Sequence, residues 1–181
     1  MIQRIQSFWL VLAACCMALC FMMPVAEYHA AAATGQQYEA ELNLLPKDNP
    51  EMMNQMLNGE PVVTFSQKVL GFSAWPLIVV AALTCVIAVV SIFMYKNRVR
   101  QMRVVSVGFL FNVVYVFLVF FWAVDAYRKA AAQAMAVPVE SLDVTWFAGA
   151  YVPLASLLFF ILARTAIRRD EAKVRAADRL R

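Results

Sequence analysis

Two clusters of cationic side chains are the residues of this chain best placed to do chemistry. Lys96, Arg98, Arg100 and Arg103 fall within eight residues that hold no acid, and Arg168, Arg169, Lys173, Arg175, Arg179 and Arg181 close the sequence. Dense Lys and Arg beside an apolar run attract anionic lipid headgroups, each worth ~1 kcal/mol near the membrane surface. The closing cluster also carries a narrow apolar stripe, Val174, Ala177 and Leu180, which a helix could present to a protein partner. Asp170, Glu171 and Asp178 interrupt its charge and no aromatic residue accompanies it, which argues against nucleic acid, where bases stack on aromatic rings.

The elements that position these clusters are set by hydropathy. Of 181 residues, 63% are hydrophobic and 15% charged, too apolar for a soluble domain of this length and too patterned for disorder. Residues 5–26, 69–95, 104–124 and 144–163 contain no Asp, Glu, Lys or Arg. Each provides the roughly 20 residues that cross ~30 Å of hydrocarbon as a helix. These runs predict an all-α integral membrane four-helix bundle, one membrane domain over 1–181. Its spans lie near 5–26, 75–95, 104–123 and 144–163, with an outer loop at 27–68 and a helical tail at 164–181.

Charge then orients the spans. With both ends inside, the inner segments hold 12 Lys and Arg and the outer segments only Lys47, Lys68, Arg128 and Lys129. Short loops rich in Lys and Arg stay cytoplasmic, so both termini are expected there, in a bacterial inner membrane. Trp75, Trp122 and Trp146 fall at the outer ends of spans and Trp9 at the inner end of the first, as an aromatic belt requires. The first run is longer than a secretory signal core and predicts an uncleaved anchor.

Inside the spans, chemistry is sparse. Proton relays and coupled transport use ionisable groups at membrane depth, and the four runs have none. Asn112 is the strongest polar group there and is expected to bond another helix. Gly149, Ser156 and Ala163 recur every seven residues, a small-residue seam for close helix packing. His29 shows no surrounding Ser, Cys or carboxylate pattern that would make it a triad member. Cys15, Cys16, Cys20 and Cys85 lie in apolar runs, where free Cys acts as a small hydrophobe.

A soft-metal route for Cu(I) could be drawn through Met52, Met53 and Met56, Met22 and Met23, and Cys16 with Cys20. Without Cys-x-x-Cys or clustered His it stays the alternative, together with a small transporter. No catalytic, cofactor or metal residues are expected.

In the outer loop, Asn49 as a cap, Pro50 at the first turn and Gly59 as a stop predict a short helix with Met52, Met53, Met56 and Leu57 on one face. Val62 to Phe65 reads as a short strand. A region of this size could hardly bury a core of its own. Residues 125–143 read as an Ala-rich outer connection broken at Pro138. Past Ala163 nothing breaks the last helix, so the tail is expected to continue it.

The opening MIQRIQ, the central NRVRQMR at 97–103 and the closing IRRDEAKVRAADRLR at 167–181 resemble a Bacteroidetes family of uncharacterised four-span membrane proteins, a domain of unknown function. That family commonly has Asn, Leu and Ser where this chain has Arg164, Lys173 and Ala176, which argues against a strict role for these three. The resemblance implies four spans and an inner-membrane location and supplies no activity. The role expected is non-enzymatic, a structural or accessory component. Its partners would be membrane lipids and either a protein or a second copy of the chain, with no nucleic acid.

Overall fold

The structure, a computed structural model, describes residues 2–31, 37–45, 52–57, 60–65, 67 and 70–179. Its elements are α1 (Ile2–Leu19), β1 (Ala26–Ala31), β2 (Gln37–Leu42), β3 (Met52–Leu57), β4 (Glu60–Phe65) and α2 (Trp75–Phe93). They are followed by α3 (Arg98–Phe117), a π-helical turn (Leu118–Ala123), α4 (Val124–Met135), β5 (Asp143–Trp146) and α5 (Ala148–Arg179). These form two compact units, the first from Met1–Leu19, Val79–Val116 and Val152–Arg181, the second from Cys20–Ile78 and Phe117–Tyr151.

The first unit packs four helical segments around Leu10, Ala13, Ala14, Ala88, Val105, Phe160, Ala163 and Ile167. Small residues let the helices approach closely. A methyl on Gly108 would stand 2.9 Å from both Ile87 and Phe160, so α2, α3 and α5 meet there at the limit of contact. The Ser156 hydroxyl donates to Ala13 O at 3.3 Å and the Gln101 amide to Ser91 O at 2.9 Å. Buried Thr84 and Ser91 turn back onto the carbonyls four residues earlier, at 2.8 and 2.7 Å, which satisfies their hydroxyls without water. Val86, Val90, Leu110, Val114, Leu158 and Ile161 face outward, a surface suited to lipid chains.

Three helical stretches, Trp75–Phe93, Arg98–Met135 and Ala148–Ala176, are long and apolar enough to cross a membrane. The expected first span is shorter than its uncharged run. The helix stops at Leu19 and its apolar part covers Ile5–Leu19, because Pro24 cannot extend it and the chain turns into β1. The third span runs further than expected, through the π-helical turn to Met135. Residues 125–135, read above as part of a connection, therefore belong to helix α4. It ends with Ala136 in the left-handed region (φ 52°), where the N–H of Val137 caps Ala132 O at 3.1 Å. The last helix starts at Ala148, since residues 143–146 are strand β5, and it continues through the tail to Arg179.

The second unit corrects the all-α expectation. It holds a five-stranded sheet in the order β3-β4-β2-β1-β5, with β2 and β4 parallel and the other neighbours antiparallel. Met52, Met53, Met56 and Leu57, expected on a helix, lie on β3 paired to β4, with Leu57 opposite Glu60. The cap and stop invoked for that helix, Asn49, Pro50 and Gly59, lie outside the described residues.

The sheet has a core of its own because distant segments complete it. Tyr28 and Tyr127 of α4 bury their rings together, centroids 5.1 Å apart. The Tyr28 hydroxyl donates to Val124 O at 2.9 Å and the Tyr127 hydroxyl to Glu41 O at 2.8 Å. Burial pushes the Tyr28 phenol well above its ordinary pKa. Phe72 lies 5.3 Å from the Tyr127 ring, and Trp146 stacks on Phe120 at 5.2 Å. Thus a region too small to fold from residues 27–68 alone borrows α4 and β5.

Candidate functional site

Along β1, burial alternates: Ala26, Tyr28 and Ala30 face the core while Glu27 and His29 stand on the opposite face, half-buried. Strand pairing decides what meets them. On β2, Glu41 lies opposite Glu27 and Glu39 opposite His29; on β5, Thr145 and Asp143 take the same two positions. Directly paired residues in an antiparallel ladder project to one face, so a single histidine sits amid four carboxylates.

Its two ring nitrogens approach separate acids, Nε2 to Glu27 Oε2 at 3.7 Å and Nδ1 to Glu39 Oε1 at 3.7 Å. The Glu27 carboxyl is pushed up, first by partial burial; His29 opposes that, and the Glu39 and Glu41 charges add to it. Beside the imidazole a pocket of about 370 Å³ is lined by His29, Gln37, Tyr38, Ser141 and Asp143. The expectation that no carboxylate pattern surrounds His29 is therefore overturned. Glu27-x-His29 and Glu39-x-Glu41 do carry the period of two that marks one strand face, but only the pairing register shows that the faces coincide.

The cationic residues gather in the first unit. Arg100, Arg103, Arg168, Arg169, Lys173 and Arg175 are exposed. Arg98 is the exception: Nη1 lies 3.0 Å from Oδ2 of Asp170, whose side chain is only 9% exposed. The approach is off the direction of a good hydrogen bond, so this contact is a Coulombic pair. Glu171 pairs with Arg175 one turn along the helix. Arg179 is the last residue of α5; the side chain of Lys96 and all of Arg181 lie outside the described residues.

Two of the tail's acids are thus turned onto the protein's own cations. In the same unit, Phe109, Phe160, Ile161, Arg164, Thr165 and Arg168 line a groove of about 280 Å³ whose walls mix apolar and cationic side chains.

The helix-packing residues are all buried. Gly149 N–H donates to Pro24 O at 3.0 Å, and Ser156 and Ala163 are fully enclosed in the first unit. Asn112 is enclosed as well, but neither atom of its amide has a hydrogen-bond partner among the described residues. The interhelical hydrogen bond expected from it is not formed among the described residues. None of the four cysteines forms a disulfide among the described residues.

Three helical stretches long and apolar enough to cross a membrane are compatible with a membrane protein, and the second unit adds a small mixed sheet that bears a polar face. The family model for a domain of unknown function, DUF4293, matches residues 2–180, and the chain belongs to that family. No curated protein and no solved structure matches it.

Proposed function

We propose that this protein is a non-enzymatic accessory component of a bacterial inner membrane. It crosses four times, with both ends in the cytoplasm, and holds anionic phospholipid at the basic end of its helices. The observation that carries the reading is a groove lined both by Phe109, Phe160 and Ile161 and by Arg164 and Arg168. Aromatic and aliphatic walls suit an acyl chain, while two guanidiniums give a phosphate bidentate partners. Internal pairing of Asp170 and Glu171 adds support, since it removes the acids that would repel a headgroup.

The full-length protein in neutral detergent should melt several degrees higher when phosphatidylglycerol is added and be unmoved by phosphatidylcholine. Raising salt to ~1 M, where charges are screened beyond ~3 Å, should remove most of the gain. Arg164→Gln with Arg168→Gln should do the same at low salt. Equal shifts from both lipids, or a shift indifferent to the double substitution, would discard lipid binding at this groove.

The orientation has its own support. Gln6 Nε2 reaches Ala166 O at 3.5 Å, which brings the start of α1 beside the basic end of α5, and the excess of Lys and Arg lies at that end. In a background lacking the native cysteines, Gln133→Cys should react with a membrane-impermeant maleimide in spheroplasts, and Arg103→Cys only after lysis. Both positions are exposed, so accessibility on the protein is not limiting. Reaction of Arg103→Cys in sealed spheroplasts would reverse the assignment.

A further inference from the structure

We propose that Glu27, His29 and Glu39 form a binding site for a divalent first-row transition-metal ion of the zinc, cobalt or manganese kind. The site involves none of the basic residues assigned to lipid. Its ligand atoms, one from each residue, lie within 4.8 Å of one another. Tetrahedral ligands at ~2.1 Å from zinc stand roughly 3.4 Å apart. The ring nitrogens approach separate acids, Nε2 to Glu27 and Nδ1 to Glu39, each at 3.7 Å, so one ion takes one of these nitrogens with its near carboxylate, and the other carboxylate must close from within 4.8 Å by turning its side chain.

The position is built by regular structure: two ligands come from alternate residues of β1 and the third from its direct cross-strand partner on β2. β1 and β2 each have a neighbouring strand on both sides, so all three ligands stand on interior strands and none on a flexible loop. The side chains are 39%, 25% and 22% exposed for His29, Glu27 and Glu39, which leaves a route for the ion while limiting competition from water. The adjoining pocket, lined by His29 and by Asp143 opposite it on β5, leaves room for water ligands.

Donor chemistry selects the ion. One imidazole nitrogen with carboxylate oxygens suits zinc, cobalt and manganese; calcium and magnesium take oxygen-only sets, and Cu(I) takes thiolate and thioether. The site is thus unlike the soft route through Met and Cys side chains. A competing description, a protonated imidazole clamped between two carboxylates with no metal, makes opposite predictions.

The experiment uses full-length protein in detergent and Co²⁺, whose ligand-field spectrum reports its donors. One equivalent should bind per chain, with visible bands of a nitrogen and oxygen environment and no thiolate charge-transfer band, and Zn²⁺ should displace it. A hundredfold excess of Mg²⁺ should not. His29→Gln and Glu39→Gln should each weaken binding at least tenfold, and Glu27→Gln should act likewise, while Glu140→Gln on the exposed turn before β5 should leave it unchanged. Near-ultraviolet circular dichroism of each variant separates loss of the site from loss of the fold. If a variant does not fold, the His29 imidazole resonances of the native chain decide: they shift on adding Zn²⁺ if His29 is a ligand. Absence of saturable binding, thiolate bands, binding indifferent to Glu39→Gln, or imidazole resonances unmoved by Zn²⁺ would overturn the proposal.

Discussion

Replacing Gly149 with alanine is expected to lower stability by about 3 kcal/mol or more, the upper end for inserting atoms into closed packing, and valine to prevent folding of the sheet unit. Gly149 is the second residue of α5, and its N–H donates to Pro24 O at 3.0 Å. A Cβ at this position would press into that same carbonyl, with Pro24 C at 2.8 Å and Met23 O at 2.9 Å. The obstacle is backbone, which cannot move aside as a side chain end can. Shifting it would also strain the neighbouring bonds, Phe147 N–H to Val25 O at 3.1 Å and Val25 N–H to Leu42 O at 2.9 Å, and with them the pairing of β1 to β2 and β5. Thermal melting in detergent, with exposed Ala148→Ser as the control, reads the effect. A Gly149→Ala protein melting within a degree of the native one would show that the close approach is not required.

The second large effect is expected from Asp170→Ala. Arg98 is the first residue of α3, where the helix dipole disfavours a cation. Asp170 offsets this from α5, with its side chain 9% exposed against 27% for Arg98. Removing one partner of a buried pair costs about 3 to 5 kcal/mol because the other charge is left uncompensated. Partial exposure of Arg98 brings the expectation to the lower end, about 3 kcal/mol, with some of it lost to solvent screening. Arg98→Ala in the same chain should recover part of that loss, since the stranded charge goes too. Melting temperatures of the two single variants and the double variant give the coupling. Additive losses, with no recovery in the double variant, would mean that the pair does not hold α3 to α5.

The same pair shows how charge pattern and structure divide the description of the tail. A continuous helix past Ala163 followed from the lack of Gly and Pro, and α5 runs to Arg179. Which acids lower the positive surface did not follow. Asp170, Glu171 and Asp178 look equivalent in sequence, yet Asp170 is buried on Arg98 at a separation of 72 residues and Glu171 is matched to Arg175 within its own turn.

What the sequence by itself determined is what local chemistry decides. Uncharged runs of twenty residues make helices suited to a membrane, because backbone polar groups in hydrocarbon must be paired within the segment. Lys and Arg asymmetry marks the ends, and small residues mark the places where helices close upon each other, as at Ser156 and Ala163. Tertiary structure decided the rest, for reasons of distance along the chain. Residues 26–31 and 37–42 become strands because β5, more than a hundred residues away, and α4 give them an edge and a face to pack on. Local cap and stop signals suggested a helix around Met52–Leu57, and pairing with β4 made it a strand. His29 had no partner within its own stretch except Glu27. Its second carboxylate comes from a neighbouring strand and the acid opposite from β5, and only the register of the folded sheet puts them on one face.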